Sequence, residues 1–338
     1  MKLAIDAMGG DHAPKAVVEG VFLALDEITN LEVKLFGHKE KLAPFLTEHN
    51  RLEVIHCEEV IEATDDPARS IRRKKDASMT KMLEAVTNGE ADACLSAGNT
   101  GALMAGGLLK VGRIEGVSRP ALATTLPTID GQGFLMLDLG ANADAKPENL
   151  LQYAIMGNIY AKNVRGIENP RIGLLNIGTE DKKGNELTKA VFSLLKDSNL
   201  NFVGNVEARD LLDNVADVVV TDGFTGNMVL KSIEGTAGAM MSMLKEAFMA
   251  SGKTKIGALL MKNELKKLKG KLDYSEHGGA ALFGVQAPVI KAHGSSNARA
   301  IFNAIRQASI MAEYNVTEVI KTTISESNIQ QGETEEGN

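Results

Sequence analysis

Six short apolar runs punctuate the chain, and each ends in a turn built from Gly, Asn, Asp, Ser or Thr. They are LAIDAMGGDHAP from Leu3, ACLSAGNTG from Ala93, LMLDLGAN from Leu135, LLNIGTEDKKGN from Leu174, VVVTDGFTGN from Val218 and VIKAHGSSN from Val289. A continuous apolar run marks a strand buried on both faces of a parallel sheet. The loop at its carboxyl end is where open α/β sheets bind ligands. Glycine lets backbone approach a ligand closely, and a helix starting past the turn aims unpaired N–H groups at an anion. Six such loops predict a polar, amide-lined cleft for an oxyanion such as phosphate.

Strand patterning alternates with helical periodicity between these runs. A helix is predicted over about 14–27, with Pro14 in its first turn, followed by strand 31–37, a charged helix over about 39–49 and strand 52–57. The polar stretch 63–78 interrupts the rhythm before helices near 78–88 and 100–111. PALATTLP (120–127) and GFLMLDLG (133–140), close together around GQG, predict an antiparallel pair. Strands follow at 171–178, 201–206 and 217–223, with helices near 147–163 and 185–196. A long helical zone covers about 225–272, and a last strand at 288–294 feeds a helix at 297–314. The acidic tail 329–338 is expected to be disordered. Without an internal repeat or a clean linker, the fold class is α/β with a mostly parallel sheet. Residues 1–328 form a single unit or two intimately joined lobes.

Composition narrows the function. Hydrophobic residues make up 44% of the 338, enough for a sizeable core, whereas aromatics reach 4% and Trp is absent. Stacking-based binding of single-stranded nucleic acid needs aromatic platforms, so no nucleic-acid partner is expected. A net charge of −7 disfavours generic attraction to polyanions and makes any basic function local. Cys57 and Cys94 give neither a disulfide framework nor metal-ligand spacing, so a reducing, cytosolic setting without a metal is expected. The strand-like start KLAIDAM leaves no room for a secretory signal. No uncharged apolar stretch approaches the roughly 18 residues of a membrane span. The expected protein is soluble, at most peripherally attached to a membrane.

The loops hold the candidate chemistry. Asp6, Gly9, Gly10, Asp11 and His12 share the first turn. His12 or Asp11 could shuttle a proton, or Asp11 could cap the helix at Pro14. In Ser96-Ala-Gly-Asn-Thr-Gly101, Asn99 or Thr100 opens a helix, with Gly98 beside the cap, which suits phosphate oxygens as well as ordinary capping. No Gly-Lys-Ser/Thr or GxGxxG accompanies it, so ATP and NAD find little support and no cofactor is implied. Thr221-Asp-Gly-Phe-Thr-Gly-Asn227 has Lys231 one turn further on, and Lys291-Ala-His-Gly-Ser-Ser-Asn297 offers two cations and hydroxyls. Gly-x-Ser-x-Gly is absent and both cysteines lie in apolar runs, leaving no candidate for a covalent acyl-enzyme. From Lys253 to Leu272 the chain reads KTKIGALLMKNELKKLKGKL, with seven Lys and one Glu. Ile256, Leu259 and Leu260 form one apolar set and Leu265 belongs to another, among Lys262, Lys266 and Lys267. This predicts a basic amphipathic helix that contacts a membrane surface, docks an acidic partner or packs on a subunit. Arg72-Arg-Lys-Lys75 is a second basic cluster.

Five motifs together resemble the bacterial acyl-acyl-carrier-protein:phosphate acyltransferases of phospholipid synthesis. They are Asp6–Pro14, Ser96–Met104, Asp138-Leu-Gly-Ala-Asn142, Thr221–Lys231 and Lys291–Asn297, and the likeness runs from residue 1 to about 325. It implies transfer of a long-chain acyl group from the acyl carrier protein thioester to inorganic phosphate. The acyl phosphate would then pass to an integral-membrane glycerol-3-phosphate acyltransferase. The family is similar in fold to phosphotransacetylases and isocitrate/isopropylmalate dehydrogenases: a three-layer α/β/α sandwich, usually a homodimer. The basic region near 253–272 resembles the family's membrane-contact element. Phosphotransacetylases carry Ser-Arg-Gly in the last turn and an Asp soon after. Here the turn is Ala292-His293-Gly294, followed by Arg299 without that Asp, so His293 is expected to take the Arg's electrostatic part. The expected substrate contacts are Asp6, Gly9, Gly10, Asp11, Ser96, Gly98, Asn99, Thr100, Asp138, Asn142, Thr225, Gly226, Asn227, Gly294 and Ser295. Lys291, His293, Asp222 and His12 are the expected catalytic residues. A short-chain acyl-CoA phosphotransacetylase and a peripheral membrane scaffold are the alternatives.

Overall fold

The computed structural model describes residues 1–265 and 278–335. Eleven strands form one sheet in the order β3-β2-β1-β4-β11-β10-β5-β6-β9-β7-β8. The central and first-edge strands are β1 (Lys2–Asp6), β2 (Glu32–Gly37), β3 (Leu52–His56), β4 (Ala93–Ser96) and β11 (Val289–Lys291), all mutually parallel. Next to them, β10 (Ala280–Phe283), β5 (Ala121–Leu126) and β6 (Phe134–Leu137) pair antiparallel in succession. Parallel pairing then resumes through β9 (Val218–Val220), β7 (Ile172–Asn176) and β8 (Phe202–Glu207). Three antiparallel steps reverse the second half of the sheet relative to the first.

That reversal corrects the expectation of six loops at one cleft. The loops after β1, β4 and β11 leave from one edge and those after β6, β7 and β9 from the opposite edge; Leu139 after β6 and Asn227 after β9 line the same cavity as Thr100 and Lys291. The antiparallel β5–β6 pair is where the sequence places it. Nothing in the sequence marks β10, because AALF is a four-residue run with no period of its own and follows two glycines.

Helices cover both faces. Val17, Val21 and Leu25 of α1 (Lys15–Glu27) pack on Leu3 and Ile5, and α1 also packs against α10 (Ala298–Glu313). The helices α6 (Pro147–Asn163), α7 (Glu186–Lys196) and α11 (Val316–Glu335) extend the same layer. On the other face, Ile71 of α3 (Pro67–Arg73), Met82 of α4 (Ser78–Thr87) and Leu103 of α5 (Thr100–Gly106) bury Ala4, Cys94 and Val289. Val229, Leu230 and Ile233 of α8 (Gly223–Met249) cover β5 and β6 there. The result is the expected three-layer α/β/α sandwich.

Local chemistry explains where element boundaries depart from the sequence reading. The helix expected over 39–49 is only α2 (Lys39–Leu42) and a 3₁₀ turn (Ala43–Phe45), since Pro44 lacks an N–H and cannot continue the ladder. Within the polar stretch 63–78, Asp66 caps α3 by accepting from Arg69 N at 2.8 Å, with Pro67 in the first turn. The long helical zone breaks at Ser251, which caps the new helix α9 (Gly252–Leu260) by accepting from Thr254 N at 3.2 Å. Residues 262–265 are helical, whereas Lys266 and Lys267 lie outside the described residues. Helix α11 runs to Glu335, into the tail expected to be disordered; its Gln and Glu residues are good helix formers and no Pro interrupts them.

Candidate active site

Asp6, Ser96 and Lys291 end β1, β4 and β11 and are cross-strand neighbours on one rung of the sheet. Ser96 Oγ donates to Asp6 Oδ2 at 2.7 Å and accepts from Gly98 N at 3.0 Å, while Met8 N donates to Asp6 Oδ1 at 3.0 Å. The carboxyl is fully enclosed; burial drives its pKa up, against these hydrogen bonds. The three loops are stitched together by Asp11 N to Gly294 O at 2.7 Å and Ala292 N to Ser96 O at 3.0 Å. Glycine is required where they meet. A Cβ on Gly9 would lie 2.5 Å from Gly98 N and 2.7 Å from Asp6 Oδ2, and Gly10 has φ +104°.

Lys291 Nζ donates to Ala97 O at 3.2 Å and to Ala292 O. Burial lowers its pKa to about 8; Asp6 and Asp11 oppose the shift, and Lys231 adds to it. The lysine opens onto a cavity of about 300 Å³, with Thr100, Asn227, Lys231, Glu234, His293 and Ser296 as its polar walls. Leu122, Leu139, Leu230, Ala280, Ala292 and Ala300 supply the apolar walls. Lys231 pairs with Glu234 at 2.8 Å. His293 Nδ1 accepts from Ser295 N at 3.2 Å and lies 2.8 Å from Ser295 Oγ. Two cations, a histidine and hydroxyls beside an apolar wall can hold an oxyanion against an acyl group.

Of the residues singled out from sequence, Thr100, Asn227, Lys291 and His293 reach this cavity. Asp6, Gly9, Gly10, Ser96 and Gly98 are not among its walls; they pack together at the ends of β1 and β4 beside Lys291, and the Asp11 N–H to Gly294 carbonyl bond ties the first and last of these loops. His12 is exposed and outside the cavity wall, and its carbonyl accepts from Ala16 N. No side chain caps α1, so Asp11 is not that cap. Asn99 is a cap and a staple: Oδ1 accepts from Ala102 N at 3.0 Å and Nδ2 donates to Glu62 O and Ala63 O.

The second group works differently. Asp138 accepts from the backbone N–H groups of Leu122, Gly140, Ala141 and Asn142, and Asn142 Nδ2 donates to Pro120 O, Asp138 and Tyr153 Oη. Both side chains are engaged in shaping their own loop. Asp222 accepts from Thr225 N at 2.8 Å and Thr225 Oγ1 at 2.7 Å, so it caps α8. Asp222 and Thr225 line a separate hollow of about 340 Å³, with Phe224 and Asn185. A Cβ on Gly226 would collide with the carbonyl oxygen of Asp138. Arg299 lies against Phe302, 4.7 Å from the ring centroid, and pairs with Glu27 at 3.8 Å.

Sequence reasoning named Lys231 and Ser296 only as parts of their motifs and did not single out Glu234. The helical period holds the signal: Lys231 and Glu234 stand four and seven residues past Asn227, on one face of α8. Cys57 is buried and its thiol pushed up to about 11, and burial raises Cys94 further, so neither is a ready nucleophile. In the basic segment, Ile256, Leu259 and Leu260 are 63%, 71% and 82% exposed, and Lys262 is exposed too.

Residues 1–319 match a family described as fatty acid synthesis protein. The chain is 74% identical over 324 residues to a phosphate acyltransferase of Lysinibacillus sphaericus, covering 96% of this chain and 98% of the relative. It is 61% identical to the phosphate acyltransferase of Bacillus licheniformis, covering 96% and 99%. The chain belongs to the phosphate acyltransferase family. Among solved structures, a phosphotransacetylase from Streptococcus pyogenes has a TM-score of 0.59 at 16% identity, covering 92% of this chain and 94% of that one. A branched-chain phosphotransacylase from Enterococcus faecalis has a TM-score of 0.58 at 17% identity, covering 92% and 99%. These likenesses bear out the fold expected from the resemblance.

Proposed function

We propose that this phosphate acyltransferase moves a long-chain acyl group from the thioester of acyl carrier protein to inorganic phosphate, by direct displacement in the cavity beside Lys291. The observation that carries the reading is the half-buried Lys291 ammonium, seated with Lys231, His293 and Thr100 around a partly apolar cavity. A phosphate oxygen bonds to the thioester carbonyl carbon, the C–S bond breaks, and the carrier's thiolate leaves and takes up a proton. Lys291 and Lys231 hold the phosphate charge, and His293, on the cavity wall, stabilises the developing oxyanion. Phosphate is already an adequate nucleophile, so positioning supplies most of the rate. Asp6 and Ser96 set the loops behind Lys291.

Acyl carrier protein is acidic, and the exposed Arg72, Arg73 and Lys75 offer it a basic face; Lys74 is held by Asp65 at 2.6 Å. The exposed apolar side chains of α9 suit peripheral contact with a membrane, where a glycerol-3-phosphate acyltransferase would take the product. A homodimer is part of this reading. The deciding experiment follows phosphate-dependent release of carrier protein from palmitoyl-carrier protein, with the acyl phosphate trapped as its hydroxamate. No hydroxamate from that donor, with turnover of acetyl-CoA instead, would replace this reading by a short-chain phosphotransacetylase.

A further inference from the structure

The cavity beside Lys291 contains a residue that a plain anion site would avoid. Three residues past Lys231, the first turns of α8 bring Glu234 to its wall. Among the described residues that line the cavity it is the only acid, and it shares the wall with Lys231, Lys291 and His293. Glu234 Oε2 accepts from Lys231 Nζ at 2.8 Å, and among the described residues Oε1 has no partner. An ion pair that served only the helix surface would sit in water and contribute little. Here the carboxylate is the enclosed member: its side chain is 20% exposed, against 56% for the lysine. The charge of Lys231 also helps to lower the pKa of Lys291, so two ammonium groups and one carboxylate act on the same small space.

Electrostatics makes such a wall selective. An ionised carboxylate is acceptor-only. Beside an oxyanion without protons it repels, and its lone pairs give up water without gaining a donor. Beside an oxyanion that keeps a proton it accepts a short, charge-assisted O–H···O⁻ bond. Hydrogen phosphate and sulfate share shape and charge, but near neutral pH only phosphate keeps a proton. We propose that Glu234 is the specificity-determining residue for the acyl acceptor, taking a hydrogen bond from the P–OH of bound phosphate and excluding sulfate and other unprotonated oxyanions. The inference deepens the proposed function and rests on phosphate binding in this cavity. It also assigns the oxygens of the anion. With P–OH at Glu234 and the two lysines on charged oxygens, an unprotonated oxygen is left for the thioester carbonyl. That oxygen bonds to the carbonyl carbon, the C–S bond breaks with its electron pair going to sulfur, and the P–OH proton stays on the phosphoryl group. Hydrogen phosphate brings two negative charges; acyl phosphate and thiolate carry one each away. Glu234 gains and loses no proton and acts by selection and orientation.

The test compares phosphate, arsenate and sulfate, of which the first two keep a proton and the third does not. Titration calorimetry on the free enzyme at fixed ionic strength gives each Kd without an acyl donor. The KM for phosphate and the inhibition constant of sulfate come from thioester loss with palmitoyl-carrier protein. A site built to hydrogen-bond a hydroxyl rejects the analogue that lacks it. Wild type is therefore expected to bind phosphate and arsenate alike and sulfate at least about tenfold more weakly. Glu234→Gln keeps the shape of the side chain and adds an N–H donor, so its ratio of sulfate to phosphate Kd should fall toward one. If Glu234 only tempers Lys231, that variant strengthens both anions together and the ratio stays put, which overturns the proposal. A wild-type enzyme that binds sulfate as tightly as phosphate overturns it too, whatever the variant does. Selective phosphate binding without thioester loss would sink the proposed function and leave the role of Glu234 standing; thioester loss without anion selectivity would do the reverse.

Discussion

Lys291 concentrates the electrostatics of the site. Its ammonium is held in a half-buried position at a pKa of about 8, so above that pH the cavity loses the charge proposed to hold phosphate. The kcat/KM for phosphate is expected to fall as pH rises through about 8, with the limb moved upward in kcat, because bound phosphate dianion favours the charged lysine. Lys291→Arg should retain activity past that limb, since guanidinium stays protonated, and Lys291→Met should lose on the order of 100-fold or more in turnover at neutral pH. An unchanged alkaline limb in Lys291→Arg would assign it to another group. Stability responds with the opposite sign. The folded lysine binds fewer protons than the unfolded one between about 8 and its ordinary 10.5, so wild type gains stability over Lys291→Met as pH rises through that window. Paired melting curves at pH 7.5 and 10 measure it.

At the scale of elements, the glycines and caps separate framework from chemistry. Gly226→Ala forces the first turn of α8 away from the Asp138 carbonyl and is expected to cost about 1–3 kcal/mol, as overpacking does, read as a lowered denaturant midpoint. Asn99→Ala removes the α5 cap and its three carbonyl contacts and should cost about 1–2 kcal/mol. If Asn99 acts as a cap alone, KM for phosphate in that variant stays near wild type; a large rise would place Asn99 among the ligands. These residues also show what a sequence can disclose. The strand-end loops, the antiparallel pair and the layered class were legible, because apolar runs and turn residues act locally. The same residue types serve both capping and ligand binding, so sequence alone cannot tell the two apart: Asp222 and Thr225 bond within their own loop, whereas Asp138 and Asn142 also tie that loop to Leu122, Pro120 and Tyr153. The reversal of half the sheet hinged on β10, four residues without a period, whose pairing is set wholly by distant strands.

At the scale of the whole molecule, an acidic chain uses basicity in patches. Reversing Arg72, Arg73 and Lys75 to Glu is expected to raise the KM for carrier protein about tenfold at low ionic strength, with the difference shrinking in salt. An unchanged KM would move docking to the Lys253–Lys262 stretch or elsewhere. Among the described residues no helix is long and apolar enough to cross a membrane, so the exposed apolar residues of α8 and α9 belong to an amphipathic projection and not to a span. Vesicle flotation with Leu259→Glu/Leu260→Glu checks whether that projection holds lipid.

The stitching of β1, β4 and β11 has a further consequence for how the enzyme comes into being. Lys291 meets Ala97 across 194 residues of chain, and β11 must slot between β4 and β10 before that contact exists. On the ribosome, the first half can lay down β1 to β4 and still lack its principal cation. Activity in synthesis therefore waits for β11, and in refolding its return reports closure of the sheet's centre.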